Sequence, residues 1–199
     1  MVSKVRIEAF SDAIIAIIIT IMALQLPLPR SNNFEEMKHF ILSVFIFLDS
    51  FIVIGIFWHK HCKIFQTSET ITNKTSWRNL FFLFFISLFP LFTKWVIEDF
   101  DNVLAAIAYV VLFVLANLSS HFIFFSLLED EDKKKWNSKK EWKIFFVIRY
   151  TIFLFMVLGS VILSYFMPII SNSILIGFPL LISISNIWAE KEIIPMQED

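Results

Sequence analysis

Long apolar runs separated by short charged clusters make up most of this 199-residue chain. The run from Ala13 to Leu24 contains one polar side chain, Thr20, and similar runs recur along the sequence. Each is close to the roughly 20 apolar residues that a helix needs to cross a bilayer. The runs lack the alternation of apolar and polar residues that is typical of membrane β-strands. The pattern therefore predicts an all-α polytopic membrane protein.

Six transmembrane helices are predicted from these runs, forming a single domain over residues 1–199. Their expected bounds are residues 9–26, 39–65, 77–97, 103–128, 142–166 and 174–189. Pro27 and Pro29 end the first helix, and Pro90 is expected to kink the third, because proline lacks the N–H that continues a helix. The longest polar loop, residues 129–141, is too short to hold a hydrophobic core of its own. Function is therefore expected within the membrane or at its surface.

Charged residues make up 18% of the chain, against about 25% in soluble domains, and their signs are unevenly distributed. Of the Lys and Arg residues, 14 fall on the side of the N-terminus and only Arg30, Lys38 and Lys94 on the other. Cytoplasmic loops carry the excess of positive charge. We therefore expect a multi-pass protein of the cell (plasma) membrane with both termini cytoplasmic. The net charge of −1 gives no indication of nucleic-acid binding.

Residues that support catalysis or metal binding are scattered along the sequence. His59 and His61 are separated by two positions and do not share a helix face, while His39 and His121 are isolated. The single cysteine, Cys62, cannot form an intrachain disulfide. Paired carboxylates or a Ser/His arrangement at catalytic spacing are not evident. We therefore expect no enzymatic activity, no cofactor and no bound metal.

The first predicted helix carries a stripe of side chains at i, i+3 and i+7. On a helix of 100° per residue, the stripe is centred on Ile17 and comprises Phe10, Ala13, Ile17, Thr20 and Leu24. Ser11 and Asp12 point away from it, and an ionisable group near the membrane usually faces the bundle interior. If the stripe faces a pore, Asp12 therefore braces the helix and does not contact the ion.

Periodicity alone does not select this stripe, because the helix is apolar on every side. Thr20 has an alternative interpretation, in which its hydroxyl donates to the Ala16 carbonyl, as Ser and Thr in membrane helices often do.

The entry to this helix reads R-x-x-x-F-S-D, formed by Arg6, Phe10, Ser11 and Asp12. It resembles the signature of the transmembrane protein 175 family, the lysosomal-type potassium channels and their bacterial relatives. The resemblance is strongest over residues 6–28 and weaker through about residue 95. The last three helices are similar in architecture only.

The resemblance implies a potassium-permeable, modestly selective cation channel. In the family, pore-lining positions correspond to Ile17, Thr20 and Leu24, with an apolar constriction beside a threonine layer. The chain holds one R-x-x-x-F-S-D sequence, as in the single-repeat members, so a homotetramer is implied, with the first helix of each subunit lining a central pore. The implied partners are other copies of the chain, monovalent cations and the lipid bilayer. Potassium is the permeant species and not a cofactor.

Trp58 and His61 form a W-x-x-H sequence at the end of the second helix. The resemblance implies that they hold the cytoplasmic end of the first helix, with Arg6 and Asp12 among their polar partners. An aromatic belt at the membrane interface is the alternative. The third helix adds two short and weakly specific matches, Asn79-Leu80 and the L-F-P sequence that ends at Pro90.

Asp49 lies near the middle of the second predicted helix, where a charge costs several kcal/mol. We expect it to be protonated or hydrogen-bonded to Ser43, Ser50 or another helix, and a cation-binding or proton-sensing role stays open. An alternative function follows, a proton-coupled secondary transporter in which Asp49, Asp12 and the histidines relay protons. An internal repeat and a matching pair of broken helices, which are typical of transporters, are not evident in the sequence.

Overall fold

The computed structural model describes residues 3–66, 68, 71–131, 151, 154–155, 158–159, 162–163 and 166–193. Every regular element within these residues is an α-helix. In chain order the helices are α1 (Lys4–Leu24), α2 (Phe34–Gln66), α3 (Asn73–Ser87), α4 (Phe89–Glu98), α5 (Val103–Glu131) and α6 (Pro168–Ile193). The predicted fifth helix, residues 142–166, and the predicted loop, residues 129–141, lie largely outside the described residues.

Four segments of the described chain are long and apolar enough to cross a membrane. They are Lys4–Leu24, Phe34–Gln66, Asn73–Glu98 and Val103–Leu127, and a shorter apolar helix covers Ile169–Leu181. The described part of the chain is therefore all-helical, and its four apolar spans are those of a multi-pass membrane protein. A total of six spanning helices stays a prediction.

Four helices, α1, α2, α3 and α6, begin earlier than the sequence predicts. In α1, α2 and α3 the reason is that polar residues form the first turns. The first turns of α1 contain Arg6, and α2 begins near Asn33, whose Oδ1 accepts a hydrogen bond from the backbone N–H of Glu36 at 2.8 Å. At the start of α3, Thr72 Oγ1 accepts from the backbone N–H of Thr75 at 3.3 Å. Side chains that cap a helix satisfy backbone donors that have no partner within it. The hydropathy pattern does not predict these turns, because their residues are polar.

The third predicted helix is divided at Leu88. Pro90 lies in the first turn of α4, a position where a missing N–H breaks no internal hydrogen bond. The predicted kink at Pro90 is therefore a break between two helices, although α3 and α4 together make one apolar span from Asn73 to Glu98.

Aromatic side chains from several helices form the centre of the bundle. The Phe57 ring on α2 lies 6.0 Å from Phe82, 6.1 Å from Phe89 and 5.7 Å from Phe113, measured between centroids. The Phe89 ring meets Tyr109 edge-on at 5.7 Å. Tilted and edge-to-face pairs at these distances are favourable beyond the area they bury. This cluster accounts for part of the unusual number of phenylalanines, 25 in the whole chain.

The start of α1, the end of α2 and the start of α3 meet at one end of the bundle. Lys4 Nζ on α1 donates to the backbone carbonyl of Ser68, just beyond α2, at 2.8 Å. The same end carries Lys60, Lys63 and Lys74. We call it the basic end.

Candidate functional site

The two sides of α1 differ sharply in exposure. One side is buried against the other helices and comprises Ile7, Ser11, Ile15, Ile18 and Met22. The other presents Phe10, Ile17 and Leu24, whose side chains are 50%, 56% and 85% exposed. Ala13 and Thr20 on the same stripe are also exposed. The stripe defined from the sequence is thus a continuous exposed face of the single subunit.

Thr20 lies within this face, and its hydroxyl bonds to its own helix. Oγ1 donates to the backbone carbonyl of Ile17 at 2.7 Å. The alternative interpretation named Ala16 as the acceptor, which is wrong by one residue, because the rotamer directs the hydroxyl to the i−3 carbonyl. Since the hydroxyl proton is used within the helix, the oxygen lone pairs remain available on the exposed face.

A buried hydrogen-bond chain ties the opposite side of α1 to α3 and α2. Ser11 Oγ donates to the Ile7 carbonyl at 2.8 Å and accepts from Asn79 Nδ2 at 2.9 Å. Asn79 Oδ1 lies 2.8 Å from His61 Nε2. Because an amide oxygen only accepts, His61 donates from Nε2, which fixes its tautomer. Ser11, Asn79 and His61 are all buried, so this chain holds α1 against two other helices.

His61 is held in place by aromatic neighbours as well as by its hydrogen bond. Its ring stacks on Phe65 with centroids 4.3 Å apart and on Phe82 with centroids 5.5 Å apart. Asn79 is on the third helix, and its amide completes the polar surroundings of the ring. The position of His61 is therefore determined by two stacked rings and by the hydrogen bond at Nε2.

Asp12 is braced by Trp58, at the surface of the subunit. Trp58 Nε1 donates to Asp12 Oδ1 at 2.9 Å. The sequence predicted that Ser11 and Asp12 both face the protein, and this is correct for Ser11 only, because Asp12 is exposed. Arg6, expected among the partners of this network, is exposed and makes no side-chain hydrogen bond or ion pair within the described residues.

A second polar cluster surrounds Asp49. Tyr109 Oη on α5 donates to Asp49 Oδ2 at 3.2 Å. Ser50 Oγ lies 3.0 Å from Tyr109 Oη and 2.9 Å from Thr93 Oγ1. Since Tyr109 gives its only proton to the carboxylate, Ser50 must donate to Tyr109 and Thr93 to Ser50. The expected contact of Asp49 with another helix is present. Ser43, also expected as a partner, bonds instead to the His39 carbonyl.

Several of these partners were missed from the sequence. Asn79 was noted as part of a short motif without a role, and Thr93 and Tyr109 were not singled out. Tyr109 is a lone polar residue in an apolar run, a signal that was available, whereas Asn79 and Thr93 adjoin the charged residues Arg78 and Lys94. His121 was treated as isolated, but its Nε2 lies 3.1 Å from Lys60 Nζ. Within the described residues, no group of three or more His, Cys, Asp or Glu side chains is arranged to hold a metal.

Several known proteins resemble this chain. A family model described as the endosomal/lysosomal potassium channel TMEM175 matches residues 6–90. A potassium channel from Chryseobacterium sp. strain P1-3 is 39% identical over 94 residues, which is 47% of this chain and 49% of the relative. A potassium channel from Streptomyces collinus is 27% identical over 130 residues, 61% of this chain and 63% of the relative. The chain thus matches about half to two thirds of the length of these relatives.

A solved structure extends the likeness over most of the fold. It is the crystal structure of a lysosomal potassium-selective channel TMEM175 homologue from Chamaesiphon minutus, with a TM-score of 0.63 and 22% identity, covering 92% of this chain and 97% of that one. At this identity the likeness concerns the fold alone. The matches are to channels and not to enzymes, in agreement with the expectation that the chain has no enzymatic activity.

Proposed function

We propose that this chain, which belongs to the TMEM175 family, forms a potassium-permeable cation channel of modest selectivity with a pore lined by α1. The proposed assembly is a homotetramer of single six-helix domains in the cell membrane. The permeant species are monovalent cations, mainly potassium.

The observation that carries the proposal is the exposed apolar face of α1. Ile17 and Leu24 are more than half exposed, while the opposite side of α1 is held by Asn79 and Trp58. One helix cannot enclose a pore, but copies of one surface arranged around a symmetry axis can. Four copies of α1 would close a channel and cover this face in the same step.

The side chains on this face support a plausible conduction pathway. Rings of Ile17 and Leu24 side chains would form narrow apolar necks, which resist filling with water and so can gate by dewetting. A ring of Thr20 side chains between them would offer oxygen lone pairs to a partly dehydrated cation. A single layer of hydroxyl oxygens replaces less hydration than stacked carbonyl rings, so we propose weak discrimination between potassium and sodium.

The polar contacts on the other side of α1 would determine which residues face the pore. The Asn79–Ser11 hydrogen bond and the Trp58–Asp12 hydrogen bond hold α1 at the basic end. Together they fix the rotation of the helix about its own axis. We propose that these contacts keep Ile17 and Thr20 directed to the channel axis and that Asp12 does not touch the ion.

The proposal is tested by recording from the purified full-length protein in planar bilayers under a potassium/sodium gradient. Discrete unitary currents with a reversal potential shifted toward that of potassium support it. Discrete currents without the shift support the pore and reject its selectivity.

A proton-coupled secondary transporter is the second candidate, and the Asp49 cluster is the observation that favours it. A carboxylate in the middle of a membrane helix marks a functional site by default. Against a relay, the buried apolar residues Val53, Ile54 and Phe57 lie along α2 between Asp49 and His61. Saturable, pH-coupled uptake without unitary currents would favour this transporter over the channel.

The orientation is also a proposal, with both termini cytoplasmic. It rests on the excess of Lys and Arg at the basic end. The test introduces Ser3→Cys or Ser31→Cys into a Cys62→Ser variant. Intact cells are then labelled with a membrane-impermeant thiol reagent. Labelling at position 31 alone agrees with the proposal, and labelling at position 3 alone contradicts it.

A further inference from the structure

A groove of about 480 Å³ lies between α3 and α5, and none of its lining residues belongs to α1. Its walls are the apolar side chains Phe81, Phe85, Leu115, Leu118 and Phe122. Phe81 and Phe122 are 62% and 55% exposed in the single subunit. The volume falls within the range of about 300–1,000 Å³ that is typical of small-molecule sites. The groove is therefore large enough to hold part of a ligand.

Two antiparallel helix faces build this groove. Arg78 and Phe85 are seven residues apart on α3, and Leu115 and Phe122 are seven apart on α5, so each pair lies on one helix face. Seven residues of helix extend about 10 Å. The groove is thus elongated along the direction in which lipid acyl chains lie.

A single cationic group occupies one end of the groove. Arg78 Nη1 donates to the backbone carbonyl of Phe122 at 2.8 Å, which holds the guanidinium across the gap between the helices. Within the described residues it forms no ion pair, and a guanidinium has five N–H donors in all. Trp77, the residue before it, is 67% exposed, and exposed tryptophans in membrane proteins favour the headgroup level. We therefore expect the cation at the depth of lipid phosphates.

We propose that this groove binds one anionic phospholipid, with an acyl chain along the aromatic walls and the phosphate on Arg78. Arginine forms bidentate hydrogen bonds to phosphate, and basic pockets between membrane helices bind the head groups of anionic lipids. The apolar walls favour a lipid acyl chain, and the guanidinium favours a negatively charged head group. The site does not depend on the proposed channel activity.

Native mass spectrometry of the delipidated full-length protein tests the site, with dioleoylphosphatidylglycerol and dioleoylphosphatidylcholine as probes. We expect wild type to bind the anionic lipid in preference to the zwitterionic one. In Arg78→Gln the ratio of the two affinities should fall about tenfold, the size expected for one charge-assisted hydrogen bond. The control Lys63→Gln removes an exposed basic residue at the same end and should keep the preference. Arg78→Lys, which keeps the charge without the planar fork, should give an intermediate value.

A second variant tests the groove itself. Leu115→Trp fills it while Arg78 stays in place, and should lower the binding of both lipids. An unchanged preference in Arg78→Gln would overturn the proposal. Unchanged lipid binding in Leu115→Trp with loss of subunit assembly would also overturn it, because the groove would then be covered by a second copy of the chain.

Discussion

Asn79 Nδ2 on α3 donates a hydrogen bond to Ser11 Oγ on α1 at 2.9 Å, and both side chains are almost fully buried. The same amide accepts from His61 on α2. One side chain therefore joins three helices at the end where α1 begins. The serine of the R-x-x-x-F-S-D sequence thus has a structural role, and its partner lies 68 residues away.

Asn79→Leu should destabilise the protein by about 1–2 kcal/mol. The change leaves the His61 N–H and the Ser11 hydroxyl without their partner, and hydrogen bonds between membrane helices are worth about 0.6 kcal/mol each, with larger values where groups are left unsatisfied. Unfolding in a titration with sodium dodecyl sulphate measures the loss. Ser87→Ala is the control, because its hydroxyl bonds to the Phe84 carbonyl of its own helix at the surface and should change little. Equal stability of the two variants would contradict the assigned role of Asn79.

Trp58→Phe and Asp12→Ala should show coupled effects on stability. Phenylalanine keeps most of the ring and removes the Nε1–H that donates to Asp12. The hydrogen bond involves a charged acceptor but is exposed, so a coupling of about 1 kcal/mol is expected in a double-mutant cycle. Additive effects of the two substitutions would show that this contact does not hold α1.

Tyr109→Phe and Asp49→Asn should differ in their effect on stability. Removing the Tyr109 hydroxyl leaves Asp49 and Ser50 without a shared partner, which should cost about 0.5–2 kcal/mol. Asp49→Asn keeps an acceptor oxygen and removes an ionisable group from the middle of a membrane helix, where charge is costly. It should therefore be at least as stable as wild type in the same detergent titration. A large loss in Asp49→Asn would indicate that the charge itself is required.

Thr20→Val should reduce the selectivity of the proposed channel while keeping its shape. Valine replaces the hydroxyl by a methyl group of similar size, so the oxygen layer is lost. A lost ligand contact of about 1 kcal/mol corresponds to roughly fivefold in a binding ratio, and the potassium/sodium permeability ratio should fall by about that factor. Thr20→Ser keeps the oxygen and should retain the wild-type ratio. Reversal potentials under a potassium/sodium gradient distinguish these results.

The exposed and buried sides of α1 follow from the sequence to a large extent. A helix repeat of 100° per residue places Ile17 and Leu24 together and Ser11 elsewhere, and the structure agrees with that division. Which stripe is exposed could not be derived, because the helix is apolar all round. The choice came from the family resemblance at Arg6, Phe10, Ser11 and Asp12.

The polar contacts between helices were harder to predict. Tyr109 is visible in the sequence as a lone polar residue in an apolar run, and Asn79 directly follows Arg78, but the partners of both lie on other helices. Pairing such residues requires the order and rotation of neighbouring helices, which hydropathy does not contain. The same limit explains why Arg6 was assigned to the network although it is exposed at the start of α1.

The most direct test of the central claim is single-channel recording of Ile17→Asn beside wild type in planar bilayers. An amide in the proposed apolar constriction should favour its wetting, so we predict a marked rise in open probability or a constant leak. The control Leu91→Asn adds the same amide at an exposed apolar position on α4 and should behave like wild type. Unchanged current and open probability in Ile17→Asn would contradict a pore whose apolar gate lies on α1.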